Sequence, residues 1–65
     1  MLIKIGQIEK IISSRTIEQL LDEIGVKKDN IAVVRNGKII KKKEWTMEIL
    51  CENDSIDIFS PVSGG

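Results

Sequence analysis

The stretch Thr16–Gly25, TIEQLLDEIG, decides the fold because it carries the strongest helix signal in this 65-residue chain. Thr16 can cap a helix, and Gln19 can accept a hydrogen bond from the backbone N–H of that cap residue. Gly25 suits the left-handed conformation in which helices end. Apolar residues recur at helical spacing along one face: Ile17, Leu20, Leu21 and Ile24. The stretch therefore predicts a helix over about residues 16–24 whose apolar stripe faces a core.

Two strands are predicted before this helix. Residues 1–5 alternate between the two faces of an extended chain, with Met1, Ile3 and Ile5 on one face. Gly6-Gln7 is a turn candidate, and the β-branched run Ile8–Ile12 follows it. We therefore expect an N-terminal hairpin.

Three further strands are predicted after the helix. Ile31–Arg35 is apolar at nearly every position, which is typical of a central strand covered on both faces. Asn36-Gly37 is a strong signal for a type I′ hairpin turn, because both residues tolerate positive φ, and Lys38–Ile40 is then the returning strand. Ile56–Ser60 is the last strand, after a turn at residues 53–55.

This order of elements predicts an α+β fold, with a mixed sheet of four to five strands and one main helix across one face. If the first and last strands lie adjacent and parallel in the centre, the fold is a β-grasp, the ubiquitin-like fold. Residues 1–60 form the domain in this interpretation, and residues 61–65 form a flexible C-terminal tail.

Residues 41–50 lie between the last two predicted strands. Lys41–Glu44 is a charge run that favours a solvated loop and leaves open a docking patch for an acidic partner. Trp45 is expected to cap one end of the core with its indole N–H near water. Glu44–Leu50 predicts a short helical turn that buries Ile49 and Leu50.

Composition excludes several functions. Ten basic and ten acidic residues cancel, so the chain has no electrostatic case for nucleic acid or an anionic membrane. With no histidine and only Cys51, the chain lacks the ligands of a zinc site and any pair of nucleophile and base. We therefore expect no metal site, no catalytic residue and no enzyme. Cys51 is interpreted as a small buried hydrophobe, and a free cysteine without a leader predicts a cytoplasmic protein.

The tail Pro61–Gly65, PVSGG, ends in two residues without side chains. Pro61 cannot donate a ladder hydrogen bond, so strand pairing is expected to end there. A carboxylate on Gly64-Gly65 can enter a narrow active site and be activated, although a frayed end would look the same.

Several features together resemble the ubiquitin-like sulfur carriers of the ThiS/MoaD superfamily, and most of all the ThiS-like carriers of thiamine thiazole synthesis. They are the helix stripe, the Asn36-Gly37 hairpin, Glu44-Trp45 after a basic linker, Asp54 before Ile56-Asp57-Ile58, and the terminal Gly64-Gly65. The chain departs from the ThiS-like pattern at Asn53, where glycine is common, and Pro61 looks more MoaD-like.

The resemblance implies a protein co-substrate with no bound cofactor. A ThiF-like adenylating enzyme would use ATP to activate the carboxylate of Gly65, and a cysteine desulfurase or other sulfur donor would convert it to a thiocarboxylate. A ThiG-like thiazole synthase would receive the sulfur, and Gly64 would keep the tail narrow. Phe59 and Val62 are candidate docking residues on the sheet face that the helix leaves open.

Three alternatives to this role stay open: a MoaD-like small subunit of molybdopterin synthase, a ubiquitin-like protein modifier conjugated through Gly65, and an interaction module whose Gly-Gly end is incidental.

Overall fold

The first and last strands of the domain lie side by side and parallel within one five-stranded sheet. The computed structural model describes residues 1–60. The strand order is β2-β1-β5-β3-β4, so the last strand occupies the centre. The elements are β1 (Leu2–Ile5), β2 (Ile8–Ile11), α1 (Ile17–Ile24), β3 (Ala32–Arg35), β4 (Lys38–Ile40), a 3₁₀ turn (Lys42–Glu44) and β5 (Ser55–Phe59). This arrangement meets the condition set for a β-grasp, so the predicted fold is confirmed.

Both hairpins form where the sequence predicts them. β1 and β2 pair antiparallel across Gly6-Gln7, and β3 and β4 pair antiparallel across Asn36-Gly37. Asn36 and Gly37 have φ values of 51° and 84°, as a type I′ turn requires. This turn places Arg35 opposite Lys38 and so sets the register of the whole β3–β4 pair.

Helix α1 begins and ends as expected. The Thr16 hydroxyl accepts a hydrogen bond from the Gln19 N–H at 3.2 Å, and Gly25 ends the helix with φ of 78°. One detail of the prediction is wrong, because the Gln19 side chain accepts from the Arg15 N–H at 2.8 Å and not from that of Thr16. The Arg15 carbonyl also accepts a backbone bond from the Leu50 N–H at 2.7 Å.

The loop that enters the helix is held from the helix's last turn. The Glu23 carboxylate accepts hydrogen bonds from the backbone N–H groups of Ser13 and Ser14 and from the Ser14 hydroxyl. The Ser14 hydroxyl is the main reason why the pKa of Glu23 is lowered. This contact ties the end of β2 to α1.

The core lies between α1 and one face of the sheet. Its buried side chains come from every layer of the fold: Ile3, Ile12, Ile17, Leu20, Leu21, Val33, Ile40, Trp45, Leu50 and Ile56. Trp45 is only 1% exposed, and its indole N–H donates to the Ile40 carbonyl at 3.0 Å. The expectation that this N–H stays near water is wrong, because the end of β4 offers it a buried acceptor.

The other expectations for residues 42–51 are partly confirmed. A 3₁₀ turn at Lys42–Glu44 begins earlier than predicted, and the predicted turn follows it, because the N–H groups of Met47 and Glu48 both donate to the Glu44 carbonyl. Leu50 is buried as expected, whereas the expectations for Ile49 and Cys51 are wrong. Ile49 is 58% exposed, because it bridges Thr16 in an antiparallel pair that turns Leu50 inward and Ile49 outward. Cys51 is exposed, because it begins the turn that leads into β5 and does not pack in the core. Within residues 1–60, no helix is long and apolar enough to cross a membrane.

We predict that Trp45→Phe lowers the free energy of unfolding by about 2 kcal/mol, because it leaves a cavity and removes the hydrogen bond that the indole donates to the Ile40 carbonyl. Urea unfolding followed by circular dichroism measures this, since the variant loses the chain's only tryptophan. Ile49→Val trims an exposed side chain and is the matched control, with an expected change within about 0.5 kcal/mol. Equal costs for the two variants would contradict the buried role of Trp45.

Candidate functional site: the open sheet face around Phe59

The predicted site is partly within the described residues. Gly64, Gly65 and Val62 lie outside residues 1–60, so their roles stay predictions. Phe59, the last residue of β5, is 58% exposed, and Ser60 after it is exposed as well. The described part of the chain therefore ends one residue after the central strand of the sheet, whose last side chain is an exposed aromatic ring.

Strand register shows which residues share a face with Phe59. Paired residues lie on the same face of a sheet, and Phe59 pairs with Ala32 while Val34 pairs with Ile39. Alternation puts all four on the face opposite the buried Val33. Ile39 is 67% exposed, and Ala32 and Val34 are half-buried. We call these four residues, Ala32, Val34, Ile39 and Phe59, the apolar patch.

Sequence reasoning found Phe59 but missed the rest of the apolar patch. It treated Ile31–Arg35 as covered on both faces, whereas α1 covers only one. The signal that could have found them is the two-residue turn at Asn36-Gly37, because such a turn dictates that Val34 faces Ile39. Together with the alternation of β5, that pairing would have placed the patch.

A polar cluster holds the opposite end of β5, where the strand begins. Asp54 is 5% exposed. One of its carboxylate oxygens accepts from Arg35 Nε at 2.9 Å and from the Cys51 N–H at 2.8 Å. The other accepts from the Asn36 side-chain amide at 3.0 Å, and Arg35 also bonds Glu48 at 2.9 Å. We call these five residues the Asp54 cluster.

The Asp54 cluster stabilises the charged form of its central carboxyl group. Burial by itself raises the pKa of Asp54, but the hydrogen bonds from Cys51 and Asn36 and the charge of Arg35 outweigh it, so the pKa falls below its ordinary 3.8. Asn36 also joins the β3–β4 turn to the first residue of β5, because its side-chain oxygen accepts a hydrogen bond from the Ser55 N–H at 2.9 Å. The cluster therefore fixes where β5 starts, and so where it ends.

The described residues bring together an exposed apolar surface at one end of β5 and the Asp54 cluster at the other. Among residues 1–60, no three His, Cys, Asp or Glu side chains come together as metal ligands would. The Cys51 sulfur lies 3.4 Å from Arg35 Nη2, at the start of β5 and therefore at the far end of the strand from Phe59. What the fold presents beside the tail is the apolar patch.

Comparison with known proteins identifies the family. A family model described as the ThiS family matches residues 3–65. The chain belongs to the ThiS family. The solved structure of the thiamine biosynthesis protein ThiS from Geobacter metallireducens superposes with a TM-score of 0.86 over all of both chains, at 14% identity. At that identity the likeness shows the shared fold alone.

Two curated relatives of this ThiS-family chain differ in size. A thiazole synthase from Paramagnetospirillum magneticum is 32% identical over 60 residues, which are 92% of this chain and 18% of that protein. The chain thus spans less than a fifth of this relative. The sulfur carrier protein ThiS from Escherichia coli is 24% identical over 53 residues, which cover 82% of this chain and 80% of that one.

We predict that Asp54→Asn makes the protein less stable at neutral pH and flattens its loss of stability in acid. Folding lowers the pKa of Asp54 below its ordinary value of 3.8. Its contribution to the free energy of unfolding is therefore complete above pH 3.8 and is lost as the pH falls below that value. The side-chain amide of the variant also places an N–H donor where Arg35 and Cys51 donate to Asp54. This loss of hydrogen bonding lowers the free energy of unfolding by about 1–3 kcal/mol. Urea unfolding between pH 7 and acid measures both effects. The exposed Asp29→Asn is the control, and a D54N profile parallel to it would contradict the assignment.

Proposed function

We propose that this protein is a sulfur carrier of thiamine thiazole biosynthesis whose reactive group is the carboxylate of Gly65. The observation that carries the proposal is that the ThiS-family match runs to residue 65 and so includes both terminal glycines. The β-grasp domain supports it, because its central strand leads directly into that tail.

The chemistry follows from the weakness of a carboxylate as an electrophile. ATP transfers AMP to the Gly65 carboxylate, and pyrophosphate leaves. Sulfide then displaces AMP and gives the thiocarboxylate in one step. A persulfide donor also displaces AMP, but it forms an acyl disulfide with the tail. A thiol must then reduce the S–S bond to release the thiocarboxylate. The chain itself supplies no catalytic group to these steps, so it acts as a protein co-substrate.

The proposed partners are enzymes that handle the two ends of this reaction. A ThiF-like enzyme adenylates the tail, a cysteine desulfurase or similar donor supplies sulfur, and a thiazole synthase accepts it. The relative named as a thiazole synthase supports the last of these, because a segment similar to this chain lies within that protein. A cytoplasmic location is part of the proposal.

Docking by the apolar patch is needed because the tail is short. Five residues beyond Ser60 can span at most about 17 Å, so the activating site must come within that distance of the sheet. Phe59 and Ile39 are the exposed apolar anchors on that face. We propose that the patch, together with Val62, binds the adenylating enzyme while Gly65 enters its active site.

We predict that the intact protein, incubated with ATP, a ThiF-like enzyme and a sulfur donor, gains the mass difference between sulfur and oxygen. Deletion of Gly65 abolishes the gain, because the remaining tail no longer reaches the activated position. Ser63→Ala keeps the tail length and is the control that retains the gain. Intact-protein mass spectrometry measures all three.

Three results would count against the proposed role. A mass gain that persists without Gly65 would place the reaction elsewhere on the chain. Higher-mass conjugates that survive reducing agent on a denaturing gel would indicate a protein modifier. An intact chain that binds its partner without any gain in mass, and that binds equally well when truncated, would indicate a plain interaction module.

We predict that Phe59→Ala raises the KM for this protein in the adenylation reaction by about 10- to 100-fold, because the variant removes an apolar anchor. The kcat stays within about twofold, since Phe59 does not touch the reacting carboxylate in this account. Pyrophosphate exchange measures both constants.

Ile11→Ala is the matched control for Phe59. Ile11 lies on the same open face and is 73% exposed, but it belongs to β2 at the other edge of the sheet. If I11A and F59A raise KM equally, the docking surface is not the apolar patch.

A further inference from the structure

The basic run Lys41–Lys43 plays no visible role in holding the fold together. All three lysines are exposed. Within residues 1–60, the ion pairs closer than 4 Å involve only Lys28, which meets Glu18 and Asp22, and Arg35 in the Asp54 cluster. The three lysines can therefore be exchanged at little cost to stability, and their charge is available to a partner.

Strand register puts Lys41, the first residue of the run, beside the apolar patch, and Lys42 and Lys43 follow it in the 3₁₀ turn. Ile40, the last residue of β4, pairs with Val33, so Lys41 stands one residue further along, at the level of Ala32. Ala32 pairs with Phe59 on the adjacent strand β5. Two strand spacings, about 10 Å, therefore separate Lys41 from the residue at which the tail leaves the sheet.

The acidic residues with described contacts lie elsewhere and are already engaged. Glu23 accepts bonds from Ser13 and Ser14, and Glu52 accepts from the Leu2 N–H at 2.6 Å. Glu18 and Asp22, on α1, share Lys28. Glu18, Asp22 and Glu23 are thus residues of α1, whereas the positive run follows the end of β4.

We propose that Lys41–Lys43 forms a basic rim of the docking surface and faces an acidic surface on the adenylating enzyme that receives the tail. The inference rests on the proposed function and adds the chemistry of the partner. A protein surface fits better than a nucleic acid or an anionic membrane. The reason is that the run begins beside an exposed apolar patch, and interfaces between proteins combine an apolar centre with a polar rim.

Such a rim acts mainly on the rate of encounter. Charges around an interface attract a complementary surface over about one Debye length and change the association rate more than the dissociation rate. The apolar patch then supplies the contact that persists after docking.

The experiment is stopped-flow association of a ThiF-like adenylating enzyme with three forms of this protein at low and high salt. K41E/K42E/K43E reverses the run. K10E/R15E/K27E makes the same change of net charge at exposed positions on β2 and the two ends of α1. Thermal unfolding by circular dichroism checks that both variants are folded.

We expect the run variant to associate at least about tenfold more slowly than wild type at low salt, and the control variant within about threefold. The difference shrinks at high salt, where charges are screened. Equal slowing by both variants would overturn the proposal, because net charge would then explain the rates.

The outcomes separate this inference from the proposed function. If wild-type protein binds the enzyme and becomes thiocarboxylated, but the run variant associates at the wild-type rate, only the proposal of a basic rim is overturned. Wild-type protein that neither binds nor is modified overturns both. Salt-sensitive binding of the run to single-stranded DNA or phosphatidylserine vesicles, without binding to the enzyme, also overturns it.

Discussion

The rest of the structure depends on the parallel pairing of β1 with β5. Backbone bonds of 2.8 Å from Lys4 N–H to the Asp54 carbonyl and from Gly6 N–H to the Ile56 carbonyl join the two ends of the domain. Parallel strands need a long crossover, and the residues between them supply it: a hairpin arm, a helix and a second hairpin. β1 pairs with the first two residues of β5, and β3 pairs with β5 from Ile56 to Phe59. Strand pairing therefore fixes the position of β5 in the sheet as far as Phe59, the residue next to the exposed Ser60.

The two ends of β5 lie in different environments. At its start, the buried Asp54 carboxylate accepts hydrogen bonds from Arg35 and Asn36 and so holds the strand against the β3–β4 turn. Hydrogen bonds to a charged group are stronger than those between neutral groups. At its end, Phe59 and the apolar patch lie open, since α1 and Trp45 pack only on the other face. A domain this small cannot bury both faces of its sheet. The uncovered face is where a partner can bind without disturbing the core, and its lysine rim lies at the same end as the tail.

The sequence predicted the elements, the β-grasp order and most turns, because local signals dictate them: helical spacing in Thr16–Gly25, positive-φ residues at Asn36-Gly37, and alternation in β5. It also predicted that Phe59 is exposed on the open sheet face, while the docking role of Phe59 stays a prediction. It failed for residues whose partners lie in other elements of the fold. Trp45 finds its acceptor at Ile40, Ile49 is turned outward by Thr16, and Cys51 meets Arg35 from another strand. No local pattern contains those contacts. The remaining patch residues could have been found from hairpin register, whereas the roles of Val62, Gly64 and Gly65 rest on resemblance and on the family match.

The central claim is that the fold presents a carboxylate that is chemically altered in the cell. The most direct measurement is intact and C-terminal-fragment mass spectrometry of the protein isolated from its native host without reducing agent. The account predicts a fraction of molecules in which one oxygen is replaced by sulfur, with the change confined to the fragment that ends at Gly65. Protein from the native host that carries only an unmodified carboxylate, or that is found only as conjugates to lysine, would contradict it.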